Sequence, residues 1–365
     1  MRKEIITKES KNVKQLGRIL YHDGICYLGY SASEIGFYYT GNRILAQIVT
    51  DAWYREDGKR GCIGVLVGED AEPWKRFELD TEEAEYLIFD REEYAKWRGV
   101  AVEKLPEELA VRIVKYSENA FGVAGIRYLT VDDDAKLRAL PERGRRIEFI
   151  GDSITCGYGV EGVWNVDIFE TTQENPMKAY AVRTANALNA DYQLVSWSGI
   201  GLISDWIPEE QNEPDTTILM PQLYPYTNAS LSSRLGIAPD AWDVSGFRPD
   251  MVVIYLGTND ASYTRSISER EKMFIDAYLE LYRKVRDNYG NDVEIVCCMG
   301  IMDRTLCRAI SEFAERRREE GDSRLHYVEF EGQREENGIG TDWHPSETTH
   351  KIASARLAEL CKQWL

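Results

Sequence analysis

The chain lacks what a membrane protein or a disulfide-stapled scaffold needs. No stretch of its 365 residues approaches the roughly 18 apolar residues of a membrane span, and the opening MRKEIITKESKNVKQLGRIL has no apolar run of signal-peptide length. The expectation is a soluble, cytoplasmic protein with no membrane partner. Seven cysteines (Cys26, Cys62, Cys156, Cys297, Cys298, Cys307, Cys361) are an odd number without a CxxC pair, which argues against a disulfide framework and a zinc site. They read as reduced thiols, mostly in the core. With only four histidines, none paired with acids or thiols at ligand spacing, neither a metal nor any other cofactor is expected. Basic charge is also short. The 44 Lys and Arg residues face 62 Asp and Glu residues, and the net charge of −18 repels nucleic acid and anionic lipid surfaces. Neutral substrates such as sugars or small esters remain compatible with that field.

What is present suits about two folded domains. From residue 17 to about 132 the chain shows short alternating runs, such as Ile63, Val65 and Val67 or Leu87 and Phe89, bounded by Gly, Asp and Asn. Alternation with period two reads as half-buried antiparallel strands, so residues 1–143 are expected to form an all-β sandwich of jelly-roll type. Residues 133–145, DDAKLRALPERGR, read as a connector.

After it, strand-like runs alternate with helical periods. The runs are RIEFI (146–150), QLVSW (193–197), MVVIYL (251–256), VEIVCCM (293–299) and LHYVEF (325–330). Helices are predicted over about 177–189, 268–289, 303–319 and 346–364. The second of these has an apparent capping box from Ser268 to Glu271, an apolar stripe of Phe274, Tyr278, Leu281 and Val285, and Gly290 as a stop. Residues 144–365 therefore read as an α/β domain, a parallel sheet covered on both faces, with ligands at the carboxyl ends of its strands. Residues 202–248 break the pattern with five prolines and no long period, and long irregular insertions are more often functional than accidental.

Three chemical groups fall after strand ends or near the C-terminus: Gly151-Asp152-Ser153-Ile154, Gly257-Thr258-Asn259-Asp260 and Asp342-Trp343-His344-Pro345. A serine hydroxyl is a weak nucleophile until a base takes its proton, and Ser153 with His344 supplies such a pair. The oxyanion of the tetrahedral intermediate needs donors, which the Ser153 N–H, a glycine N–H and the Asn259 amide can provide. Asp342 is placed to hold the His344 ring, because Pro345 keeps His344 extended and residues two apart then share a face. Asp152 reads as an acceptor for backbone donors at its turn, and Asp260 as a helix or turn cap. Of the other histidines, His326 reads as a packed strand residue, His22 as part of a turn, and His350 as lying on the exposed or sheet-facing side of the last helix.

GDSITCGYG, SWSGIGL, GTND and DWHP, in that order, resemble the four sequence blocks of the SGNH (GDSL-type) hydrolase superfamily over roughly residues 146–365. The preceding β-rich domain and the late DWHP resemble more narrowly carbohydrate esterase family 2, the bacterial acetylxylan esterases. The resemblance implies a three-layer αβα domain, with Ser153 as nucleophile, Gly201 and Asn259 joining the Ser153 amide in the oxyanion hole, and His344 as base. Gly199 is the neighbouring glycine should the second block align differently. Two departures stand out. Ser196 and Ser198 replace an asparagine common in the second block, and the acid lies two residues before the histidine, a spacing that leaves a backbone carbonyl as the alternative to Asp342.

Trp164, Trp206, Trp242, Trp343, Tyr224 and Tyr226 are the candidates for stacking on a sugar ring, with packing in the insertion's own core as their other reading. The expected activity is removal of O-acetyl groups from xylan-derived or similar oligosaccharides. The alternatives are a lipase-like acylhydrolase and a non-catalytic carbohydrate-binding protein on the same scaffold. Assembly into a homo-oligomer is left open, as is the role of the first domain.

Overall fold

Strands with one apolar face need a second sheet to cover it, and the first third of the chain supplies two. A computed structural model describes residues 1–70 and 72–365, and the chain divides into Met1–Glu142 with Glu170–Thr172, and Arg143–Phe169 with Gln173–Leu365. In the first unit one antiparallel sheet runs in the order Leu20–His22, Ile25–Leu28, Ala124–Val131, Arg43–Val49, Glu83–Asp90. The other runs Leu137–Ala139, Glu34–Tyr39, Leu109–Lys115, Cys62–Val67, Lys75–Glu78. Ile44, Ile48 and Ile126 of the first share a core with Phe37, Val65 and Ile113 of the second, which makes a β-sandwich. Residues 137–139, expected as connector, instead form an edge strand on Glu34–Tyr39, with Leu137 partly buried against that core.

The second unit contains all five expected strands: β1 (Arg145–Gly151), β2 (Ala190–Ser196), β3 (Met251–Tyr255), β4 (Glu294–Met299) and β5 (Leu325–Glu329). They are parallel, in the order β2-β1-β3-β4-β5. Their helices are α1 (Ser153–Cys156), α2 (Tyr180–Ala187), α3 (Thr258–Thr264), α4 (Ser268–Tyr289), α5 (Cys307–Glu319) and α6 (Glu347–Cys361).

In α4 the stripe Phe274, Tyr278, Leu281 and Val285 is buried, and Gly290 ends the helix at φ +83°. The expected capping box does not form. The helix begins one residue earlier than a Ser268 cap requires: Ile267 is the N-cap, its side chain has no acceptor, and Ser268 already lies inside the first turn. All seven cysteines are buried, and none is in a disulfide among the described residues.

The insertion 202–248 holds only the short helices Met220–Leu223 and Ala229–Arg234. Its Tyr224 joins residues of β2 and α4 in satisfying a carboxyl that β1 leaves buried. Glu148, in mid-β1, accepts from Gln193 Nε2 at 2.5 Å, Tyr224 OH at 2.8 Å and Tyr289 OH at 3.3 Å, and Trp242 Nε1 donates to Tyr289 OH at 3.2 Å.

Candidate active site

Strand register brings the sequence blocks together. Gly151 at the end of β1 pairs with Ser196 of β2 on one side and Tyr255 of β3 on the other, so the segments that follow leave the sheet level with each other. Connections diverge between β1 and β3, the switch point at which open parallel sheets bind ligands.

Ser153 opens α1. Asp152 is the extended residue before it, and its carboxylate accepts from Ile154 N–H at 2.9 Å, as the sequence suggested. Gly157 closes the four-residue helix at φ +79°, where a side chain would strike Asn175 O at 2.4 Å. The nucleophile candidate is thus held on a short, tightly turned element. The Ser153 Oγ lies 2.8 Å from His344 Nε2, across 191 positions of sequence.

His344 sits between β5 and α6. It is extended (φ −78°, ψ 161°), as a residue before proline must be, and Ser346 caps α6 by accepting from Thr349 N–H. Its Nδ1 lies 3.2 Å from Thr341 O and 3.1 Å from Asp342 O. A nitrogen facing carbonyl oxygens carries the proton, so Nε2 presents its lone pair to the serine hydroxyl. Both ring nitrogens are engaged, which leaves none for a metal.

The expectation that the Asp342 carboxylate holds the ring is corrected here, since its carbonyl does so. Asp342 and Trp343 both have left-handed backbone, at φ 51° and 64°. That turns the Asp342 carbonyl to the imidazole and its side chain to Tyr158, whose hydroxyl donates to it at 2.9 Å. Burial holds the imidazole down at about 4, against the upward pull of the two carbonyls and the Asp342 charge. The ring is therefore neutral, as a general base must be, through the neutral range.

The second and third blocks clasp each other. Asn259 Nδ2 donates to Ile200 O at 2.9 Å, which leaves its other amide hydrogen for a ligand. Asp260, read as a helix or turn cap, caps a turn on a distant part of the chain. It accepts from Leu202 N–H at 2.9 Å, Ile203 N–H at 2.8 Å and Ser204 N–H at 3.3 Å, about 57 residues away. Gly201 lies against that clasp: a Cβ there would meet Ser204 O at 2.1 Å and Asp260 Oδ1 at 2.6 Å. Gly199 is equally constrained, at φ +85° with Asp205 Oδ1 2.4 Å from any Cβ. Ser196, one of the two departures, accepts from Cys156 Sγ at 3.2 Å. Beneath the serine, burial raises the Asp152 carboxyl to about 7 and Asp260 to about 6, and the charge of Asp260 adds to the shift of Asp152.

The aromatic candidates separate into two groups. Trp164 and Trp343 meet edge to face at 5.6 Å between ring centroids, beside His344 and partly exposed, and Trp206 is 59% exposed just after Asp205. Tyr224 and Trp242 leave the candidate list because their polar tips serve the buried Glu148 network. Tyr226 is half-buried where the chain pairs with Ala241. His326 is buried against Glu294, 2.7 Å from its carboxylate, and His350 is fully buried, with Nδ1 accepting from Tyr180 N–H at 3.1 Å. Tyr158, within GDSITCGYG, carries no signal of its role in the sequence; its ring packs on His344 at 4.4 Å.

A family model described as GDSL-like Lipase/Acylhydrolase matches residues 149–352. The "Cellulase/esterase CelE" of Acetivibrio thermocellus is 37% identical over 265 residues, which is 71% of this chain and 30% of that protein's length. An "Acetylxylan esterase / glucomannan deacetylase" of Cellvibrio japonicus is 25% identical over 98% of this chain and 90% of its own. The structure of a family two carbohydrate esterase from Clostridium thermocellum in complex with cellohexaose superposes with a TM-score of 0.79. It is 30% identical and covers 97% of this chain and 100% of that one.

Proposed function

We propose that this chain, which belongs to the GDSL-like lipase/acylhydrolase family, is a serine esterase that removes O-acetyl groups from xylan-derived or similar oligosaccharides. The observation that carries the reading is the 2.8 Å contact between Ser153 Oγ and a neutral His344 Nε2 at the carboxyl edge of the sheet. Relatives described as acetylxylan esterases and family two carbohydrate esterases supply the substrate class. The exposed Trp164, Trp206 and Trp343 suit a sugar ring, whose faces stack on indole.

In the first half-reaction, Ser153 Oγ adds to the acetyl carbonyl as its proton passes to His344 Nε2. The Ser153 N–H, the Gly201 N–H and the second Asn259 amide hydrogen are the donors assigned to the resulting oxyanion. Collapse breaks the bond to the sugar oxygen, which takes the proton from the imidazolium and leaves as an alcohol. Water then loses a proton to His344, attacks acetyl-Ser153, and releases acetate with Ser153 restored. The Asp342 and Thr341 carbonyls stabilise the transient imidazolium.

Acetate release from a panel of acetylated oligosaccharides, run beside nitrophenyl esters of rising chain length, tests the reading. Release from acetylated sugars with a steep preference for acetate supports it. A rate that climbs with chain length points to a lipase, and no turnover of any ester points to a binding protein.

A further inference from the structure

The Asp342 carboxylate is the group that the sequence places nearest to His344 Nδ1, and it is held elsewhere. The holder is Tyr158, whose hydroxyl donates to Asp342 Oδ2 at 2.9 Å. Hydrogen bonds from O–H to a carboxylate are among the stronger ones in proteins. Tyr158 is well founded for the task. Its N–H donates to Ser153 O at 3.1 Å, and its ring stacks on Phe169 at 3.6 Å between centroids, with planes 8° apart. The same ring contacts the His344 imidazole at 4.4 Å.

The loop that Tyr158 grips is one that non-glycine residues adopt reluctantly. Asp342 and Trp343 are consecutive left-handed residues, and such strain persists only where surroundings over-determine it. Thr341 N–H donates to Gly159 O at 3.0 Å, Trp164 N–H to Ile339 O at 3.0 Å, and Gln333 Nε2 to Trp343 O at 2.8 Å. These bonds fix the backbone of the loop, and the Tyr158 hydroxyl fixes the Asp342 side chain.

We propose that Tyr158 is a positioning residue for His344: it holds the Asp342 carboxylate away from Nδ1 so that carbonyls alone orient the ring, and it braces the imidazole face toward Ser153. This rests on the esterase reading for its kinetic consequence but not for its structural one. A carboxylate facing Nδ1 favours the imidazolium more strongly than the carbonyls do, so with the carboxylate held away burial keeps the base neutral to lower pH. Tyr158 therefore extends the working range of the base into acid.

The test is a cycle of Tyr158→Phe, Asp342→Ala and the double variant, with Asp342→Asn as the variant that keeps an acceptor for the phenol. Two readouts are used: kcat and KM for acetate release, and the His344 titration followed by imidazole NMR, which needs no turnover. Tyr158→Phe should lower kcat roughly tenfold with KM within about twofold. Its His344 titration should move upward by at least about half a unit. Asp342→Asn should lose less in kcat than Asp342→Ala, because it keeps an acceptor for the phenol. The double variant should be no slower than the worse single one, because both remove one interaction. An unmoved His344 titration in Tyr158→Phe, or losses in kcat that multiply in the double variant, would overturn the proposal. Failure of the esterase reading shows separately, as a wild-type protein that releases no acetate while its His344 titration still responds to Tyr158→Phe.

Discussion

Asp260 Oδ1 lies 2.8 Å from the Ile203 amide and 2.9 Å from that of Leu202, so a carboxylate on the third block holds the turn that carries Gly201 on the second. Asn259, one residue earlier, holds the same turn through Ile200 O. Helix α3 thereby sets the spacing between the glycine N–H and the amide donor, the two groups assigned to the oxyanion.

Replacing Asp260 by Asn leaves one acceptor oxygen for three N–H groups and brings an amide donor among them. The expected result is a fall in kcat of roughly 10-fold to 100-fold with KM little changed, because the turn matters when charge develops on the substrate oxygen. Asn259→Ala removes a donor outright and should lose roughly 10²-fold to 10³-fold in kcat. Steady-state kinetics beside thermal unfolding decide this, and a well-folded Asp260→Asn enzyme with wild-type kcat would refute it.

The pH dependence follows from the imidazole. A protonated ring cannot accept the serine proton, and burial places its ionisation at about 4 rather than the ordinary 6.5. The limb that belongs to the imidazole should accordingly lie near pH 4, and protonation of Asp260, which burial raises to about 6, should add a partial loss near pH 6 that Asp260→Asn does not show. An acid limb near 6.5 that persists in Asp260→Asn would contradict the neutral, buried base.

Much of this was legible in the sequence where a pattern is long or local. Helix α4 shows its 3.6-residue stripe over 22 residues, and the five strands are apolar runs between turn residues. Helix α3 was missed because TNDASYT has no apolar stripe; Gly257 and contacts across the chain hold it. The role of Asp260 depends on partners about 57 positions away, which no spacing rule reaches. Tyr224 and Trp242 are sugar-contact candidates by their place in the insertion, and their other reading, packing in its core, is the one that the Glu148 network favours. The overlooked signal was Glu148, a charged residue in the run RIEFI that had to find buried partners. The Asp342 carboxylate was expected at the ring because extended geometry was assumed for it, and its left-handed backbone reverses the two groups.

A buried acid beneath the nucleophile has a stability consequence. Burial raises the folded-state ionisation of Asp152 to about 7, above its unfolded value of 3.8, so the folded chain binds a proton that the unfolded chain has released. Wild-type stability should therefore fall as pH rises between about 4 and 7 by up to about 1.4 kcal/mol per unit from this group, then level off. Asp152→Asn keeps the oxygen that accepts from Ile154 N–H and loses the titration. Denaturant unfolding should show the variant gaining on the wild type from pH 4 to 7 and holding the gain above 7. A constant difference across that range would place the raised ionisation elsewhere.

Trp164 meets Trp343 edge to face, and Trp343 immediately precedes the base. If this pair stacks on the sugar, Trp164→Ala should raise KM for an acetylated oligosaccharide roughly tenfold and leave kcat within about twofold. Kinetics on nitrophenyl acetate, which has no sugar ring, should not change. Equal losses on both substrates would mean that the pair supports the His344 loop rather than the ligand.

The most direct measurement is intact mass and peptide mapping after reaction with a serine-directed phosphonate, in wild type, Ser153→Ala and His344→Ala, paired with acetate release by each. One adduct on Ser153, absent from Ser153→Ala and formed far more slowly in His344→Ala, is the predicted result, with acetate release lowered by several orders of magnitude in both variants. An unlabelled Ser153, or a Ser153→Ala protein that releases acetate at near the wild-type rate, would contradict the pairing of hydroxyl and imidazole on which the chemistry stands.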